Sequence, residues 1–301
     1  MPAPYRANLR ALDLEQLDNV LYEPKYEELT ARQCFDIKSD VPAGAETYAY
    51  NVMTRTGVAK IMANGADDLP LVDIDLKREH VDIYTIAIGY GYSVQELRAA
   101  QMANTPIDTA RAAVARRAIA EKENKIAWLG DSKYNIKGAV NATGIQTKAV
   151  DQNAGATSTK WVDKTSEEII EDVRKLRKLI TVLPGHANSG SLCLCVPADQ
   201  YEELNRRYSD YDSRSILQVL NGYNWFSMIH RVPDLKGVGT SGTDSMLVMD
   251  CSPEVMQLLI SMDLTRLDPE WKYPRWKVPC EERLAGVIIR YPMGVARGDG
   301  I

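Results

Sequence analysis

From Pro106 to Leu129 nothing in this chain interrupts a helix, and that run constrains the fold more than any other stretch. At 1.5 Å per residue it would be about 36 Å long, well beyond the usual three turns. Ser93 and Glu96 have capping-box spacing and predict a shorter helix just before it. Thr105, Pro106 and Asp108 predict the start of the long one: a hydroxyl cap, proline at the first helical position and an acid in the first turn. Gly130 and Asp131 are expected to end it. Val114, Ala115, Ala118 and Ile119 make a narrow apolar stripe, and Ile126, Trp128 and Leu129 load one end. Arg111, Arg116, Arg117, Glu121, Lys122, Glu123 and Lys125 cover the rest, with Glu121 and Lys125 spaced for an i,i+4 pair. So long and so sparsely apolar a helix cannot centre a self-contained core. It reads as a strut, with one side on a sheet and the other facing water or further subunits.

The surroundings of that helix carry a resemblance. Val81 to Ile88 has branched residues on both faces and predicts a buried strand. Gly-Tyr-Gly-Tyr-Ser (89–93), Glu-Leu-Arg-Ala-Ala (96–100), the Ala/Arg-rich helix and then ENKIAWLGDSKYNIKGAVN (123–141) follow in order. Over residues 20–145 this order resembles the major capsid proteins of tailed phages, whose fold is shared with encapsulins. The E-N-x-I-A-W-x-G-D turn followed by N-I-x-G is its most specific part.

The resemblance implies an α+β chain with the Hong Kong 97-like major capsid fold. An N-terminal arm would cover residues 1–40 and an extended hairpin, the E-loop, 41–80. A peripheral domain with the spine helix would take 81–140 and 262–301, and a central axial α/β domain 141–261. The implied role is structural rather than enzymatic. Copies would assemble as hexamers and pentamers into the icosahedral head of a phage, enclosing double-stranded DNA held without sequence preference. Separate scaffolding, portal and decoration proteins are further expected partners, and the virion capsid is the expected location after synthesis in the host cytoplasm. An encapsulin-type nanocompartment shell is the alternative. A soluble α/β enzyme built on residues 165–261 is a reading of another class.

Composition fits a globular chain: of 301 residues, 26% are charged and 45% hydrophobic. The net charge of −5 gives no case for gripping nucleic acid with the whole surface. Tyrosine, at 15 against 2 phenylalanines, leans towards surfaces that are buried by contact yet partly polar. The cysteines are Cys34, Cys193, Cys195, Cys251 and Cys280. Their odd number and the absence of a signal-like apolar core near Met1 argue against a disulfide framework. Cys193 and Cys195, in SLCLCV, read as small buried hydrophobes, and no zinc-finger spacing is present. No window is long and apolar enough to span a membrane.

Leu14, Leu17, Val20 and Leu21 predict a short helix in the arm. Glu46 to Met53 and Leu71 to Lys77 predict a hairpin through a turn at Asn64-Gly65. An isolated two-stranded ribbon is marginal in water, so it needs a second surface. Arg55, Lys60, Asp67 and Asp68 are expected near a subunit contact, as is Ile119 on the packing face of the long helix. Residues 146–164 read as a boundary. Beyond it, Thr165 and Glu168 predict a capped helix to Thr181. Strands are expected at Leu192–Val196, Phe226–Val232 and Ser245–Met249, and helices at Pro197–Tyr208 and Arg214–Leu220. Glu254 to Ser261 could be either. Val287 to Tyr291 should return to the sheet under the long helix.

Gly237, Gly239 and Gly242 formally match G-x-G-x-x-G. A dinucleotide loop must open a helix, and a strand pattern follows here, so a flexible hairpin loop is expected. In the resembled family such a loop faces the symmetry axis of the capsomer. His80, His186 and His230 sit in no catalytic motif, and neither a nucleophile elbow nor a phosphate loop occurs. No cofactor, metal or catalytic residue is expected.

Overall fold

A computed structural model describes residues 27–56, 59–61, 71–103, 107–184 and 191–301. Within them the chain forms α1 (Ala31–Cys34), β1 (Ile37–Lys38), β2 (Thr47–Thr56), β3 (Asp73–Asp82), β4 (Tyr84–Ser93), α2 (Val94–Ala103) and α3 (Ile107–Leu129). Then come β5 (Gly130–Asp131), β6 (Ile136–Lys137), β7 (Gln146–Ala149), α4 (Ser166–Thr181), β8 (Leu192–Val196), α5 (Ala198–Leu204), α6 (Ile216–Gly222) and β9 (Met228–Arg231). The last strands are β10 (Ser245–Asp250), β11 (Met256–Arg266), β12 (Glu270–Lys272), β13 (Arg275–Ile289) and β14 (Val295–Asp299).

The long helix is present, with 23 residues in α3. The cap expected at Thr105 and Pro106 lies outside the described residues. Gly130 ends the helix at φ +71°, where a Cβ would run into the carbonyl of Ile136 and the nitrogen of Gly138. The capping box opening α2 is made in both directions, Ser93 N–H to Glu96 Oε2 at 2.9 Å and Glu96 N–H to Ser93 Oγ at 3.1 Å. The expected Glu121–Lys125 pair is replaced by Arg117–Glu121 at 2.7 Å.

Two sheets organise the molecule. In the first, β1, β11 and β13 lie side by side, β12 also pairs with β13, and β4 takes the other edge of β13. Helix α3 lies on this sheet through Ala115 and Ile119, which pack with Tyr90, Val278 and Cys280. The second sheet runs β7-β14-β10-β8-β9. Every residue of β8 and β10 is buried, as strands covered on both faces require. One face carries α4, whose capping box is closed by Thr165 and Glu168 and which buries Ile169, Val173, Leu176 and Ile180. The other face meets the far end of α3 in the main core, around Trp128 and Ala127.

Several expected boundaries change. The single strand over 81–88 is broken at Ile83 into β3 and β4, and β4 alternates between half-buried and exposed because α3 covers one face only. Of residues 254–261, those from Met256 onward resolve as strand, and that strand, β11, joins the first sheet, pairing Met256 with Ile289. The tail strand is far longer than Val287–Tyr291: β13 spans Arg275 to Ile289. β14 enters the second sheet between β7 and β10. The chain therefore passes from second sheet to first before Met256, and back again before Val295, rather than once near residue 261. Strand register sets these crossings, and local sequence does not encode it. Helix α5 stops at Leu204, short of Tyr208.

Candidate assembly surfaces

The ribbon of β2 and β3 pairs ten residues a side, from Thr47↔Asp82 to Thr56↔Asp73. Its base is anchored: Tyr48, Tyr50 and Val81 pack on Leu259, Ala285 and Ile288. Further out, Met53 lies opposite Leu76 and Arg55 opposite Ile74, so Met53, Ile74 and Leu76 share one face. They are 43%, 54% and 61% exposed. Leu71 and Val72 beyond them are more exposed still. The apolar residues at the base and those further out thus fall on opposite faces of one ribbon. Lys60 is exposed. Asp67, Asp68 and the Asn64-Gly65 turn lie outside the described residues, as does the side chain of Arg55.

Ile119, expected at a subunit contact, is taken up by its own chain. It is 2% exposed and sits between α3 and its own sheet. Val114, placed in the same stripe from the sequence, is 64% exposed, because a narrow stripe cannot wrap far around a helix lying on one sheet.

The N-terminal segment docks on α3 through polar groups, of which sequence reasoning placed Glu123 outside. Asn124 Oδ1 accepts the N–H groups of Thr30 and Ala31 at 3.0 and 2.9 Å. Trp128 Nε1 donates to Thr30 Oγ1 at 3.1 Å, and the Phe35 ring lies 4.9 Å from that of Trp128. Arg32 forks onto Glu123, 2.8 and 2.9 Å, and also reaches Asp263 at 2.9 Å and Glu282 at 3.1 Å. Glu123 is 3% exposed, not a surface residue. The missed signal was spacing: Glu123 and Asn124 lie one turn before Ala127 and Trp128, on the buried face. Burial, reinforced by the neighbouring charge of Glu123, pushes the Glu282 carboxyl up to about 8. The hydrogen bond to Glu123 raises the Arg32 guanidinium above its ordinary value.

The glycine-rich loop is pinned, not a flexible hairpin. Gly237 N–H donates to Asp244 Oδ1 at 2.8 Å and Gly239 N–H to the Thr243 carbonyl at 2.7 Å. Thr240 donates through N–H and Oγ to Asp299 Oδ2 at 3.1 and 2.8 Å, tying the loop to β14. A Cβ at Gly239 would stand 2.6 Å from Thr243 Oγ1 and 2.7 Å from Ser245 Oγ. Gly242, at φ +76°, precedes strand β10. No helix N-terminus follows, so the loop lacks the geometry to cradle a pyrophosphate.

Cys193 and Cys195 are buried as expected, but in company. They alternate on one face of β8, His230 lies opposite Cys195 on β9, and Cys34 and Cys251 pack into the same core. Cys193 and Cys34 beside it raise His230 to about 10; Cys195 and then His230 lower Cys34 to about 6. All five thiols are free, and among the described residues no group of three is placed to hold a metal ion. His80 is exposed on β3; His186 lies outside the described residues. Among the described residues no helix is long and apolar enough to cross a membrane.

The family model described as Major capsid protein matches residues 57–301, and the chain belongs to that family. The type 1 encapsulin shell protein EncA of Myxococcus xanthus is 22% identical over 262 residues, covering 85% of this chain and 82% of that protein. The capsid of Myoviridae phage XM1 superposes with a TM-score of 0.84 at 13% identity, over 97% of this chain and 99% of that one. The virus-like particle from Pyrococcus furiosus gives 0.60 at 12% identity, over 89% and 91%. The fold is the Hong Kong 97-like capsid fold, shared by phage capsids and encapsulins.

Proposed function

We propose that this chain is the shell subunit of a phage head, closing as hexamers and pentamers into an icosahedral particle around double-stranded DNA. One observation carries the reading: a paired ribbon whose outer apolar face, Met53, Ile74 and Leu76, is left exposed by the rest of the described residues. A neighbouring copy would cover it, with Arg55, Lys60, Asp67 and Asp68 close to that contact. The sheet carrying α3 would form the peripheral part of the subunit. The second sheet would form the axial part, with Gly237, Gly239 and Gly242 facing the axis. Many modest contacts per subunit become strong together in a closed shell. No catalytic step is assigned. Scaffolding, portal and decoration proteins would be the other partners.

The likeness to EncA over most of the chain favours a second reading, a nanocompartment shell. Sedimentation and negative-stain microscopy of the purified chain test both. Closed shells or rings of five or six support assembly. Nuclease-resistant DNA inside particles supports the head, and a co-purifying protein cargo without DNA supports the compartment. A monomer that persists at high concentration, with its ribbon resistant to protease, refutes both.

A further inference from the structure

Four of the five thiols meet in the main core. Cys34 ends α1, Cys193 and Cys195 share one face of β8, and Cys251 follows β10. Cys34 and Cys195 hydrogen-bond one another, Cys193 and Cys251 do the same, and His230 reaches both Cys193 and Cys34. All of these thiols are free. Cys193 and Cys251 are fixed by one ladder: Met249 stands opposite Cys193, and Cys251 N–H donates to the Ser191 carbonyl at 2.9 Å. They are therefore diagonal neighbours, about 7–8 Å apart and beyond ordinary disulfide reach. Cys193 and Cys195, two apart on an extended strand, point the same way and do not face each other. Cys34 is under neither constraint, because α1 is a four-residue helix outside the strand ladders.

We propose that Cys34 and Cys195 are an oxidisable pair: hydrogen peroxide converts them to a disulfide that staples the N-terminal segment to the second sheet, and His230 is the imidazole that readies Cys34. The staple is a property of the single chain. Only its use, fixing that segment once the protein leaves a reducing compartment, rests on the shell reading.

The chemistry closes on the groups present. A thiolate, not a thiol, attacks peroxide. The hydrogen bond from Cys195 lowers Cys34 to about 6, and His230 adds to it, so Cys34 is thiolate at neutral pH with an imidazolium beside it. Burial keeps Cys195 protonated. Cys34 is 4% exposed and Cys195 wholly buried, which makes Cys34 the thiol that peroxide meets first. The Cys34 thiolate attacks one peroxide oxygen. An S–O bond forms, the O–O bond breaks, and the departing hydroxide takes a proton from His230 to become water. Cys34 is then a sulfenic acid. The Cys195 sulfur attacks the Cys34 sulfur. The S–S bond forms, the S–O bond breaks, and hydroxide leaves with the Cys195 proton as a second water. Two thiols are oxidised to a disulfide and one peroxide is reduced to water.

The test is peptide mapping of the full chain after hydrogen peroxide, with remaining thiols alkylated before trypsin and no reductant added. The expected result is residues 33–38 joined to residues 179–206 through Cys34 and Cys195, assigned by fragmentation. Chymotrypsin cleavage after Phe35 should then be at least about tenfold slower than in the reduced chain, and dithiothreitol should restore it. Cys193→Ala should keep both the link and the protection, and Cys34→Ala should lose both. A Cys34 that stays unlinked or stops at sulfinic acid overturns the staple. So does a link from Cys34 to Cys193 or Cys251 in place of Cys195, and so does cleavage at Phe35 that oxidation leaves unchanged. Mapping of the native chain decides even if a variant does not fold. Shell formation enters neither readout, so failure of the staple and failure of the shell reading remain distinguishable.

Discussion

Asn124 shows how much one side chain can organise. Its carbonyl oxygen takes two backbone N–H groups of the N-terminal segment, and its amide donates to Asp234 Oδ2 at 2.5 Å. Asn124→Ala leaves two N–H groups and a half-buried carboxylate without those partners, which should cost about 2–4 kcal/mol in urea unfolding. Glycine at 130 is needed for a different reason. Its φ of +71° is costly for any side chain, and a Cβ would meet backbone on the facing turn. Gly130→Ala should destabilise by about 2 kcal/mol or more, lowering Tm by at least ~3 °C. A fall within the error of calorimetry would mean the turn can move away from the helix end.

At the scale of elements, the ribbon and the long helix set exposed apolar side chains against buried ones. Leu76 is 61% exposed, so Leu76→Asp should leave subunit stability within ~0.5 kcal/mol while shells disappear from sedimentation profiles. Ile119 is buried on the sheet beneath α3, so Ile119→Asp should cost about 3 kcal/mol or more and lower the urea midpoint of the subunit itself. Normal shells from Leu76→Asp would show that the apolar end of the ribbon takes no part in packing between copies. The same contrast shows what local pattern can and cannot reveal. Capping boxes at Ser93 and Thr165 were legible because both partners lie within one turn of sequence. The burial of Glu123 was not, because its partner Arg32 lies 91 residues away.

At the scale of the whole molecule, two sheets share a core at the end of α3, and the chain passes between them through β11, β13 and β14. The charge cluster at Arg32 ties three of these parts together, so the pH dependence of global stability should carry its mark. The native chain should lose stability as pH rises from the ordinary carboxylate range to about 8, and Glu282→Gln should flatten that slope in urea titrations. Equal slopes for the two proteins would place the uncompensated charge elsewhere.

The sequence alone determined what depends on near neighbours: the long helix, the caps, the alternating strands of the ribbon, the apolar strands at Leu192 and Ser245, and a family motif around Trp128. These are local because helix and strand periodicity and capping act within a few residues. Only the tertiary structure decided which strand joins which sheet, that β14 returns to the second, that Ile119 faces inwards and Val114 outwards, and that Glu123 and Glu282 share Arg32. Each of those is fixed by register and by partners far apart in the chain. The cost of leaving a buried charge or backbone group unpaired is paid only once the distant segments meet.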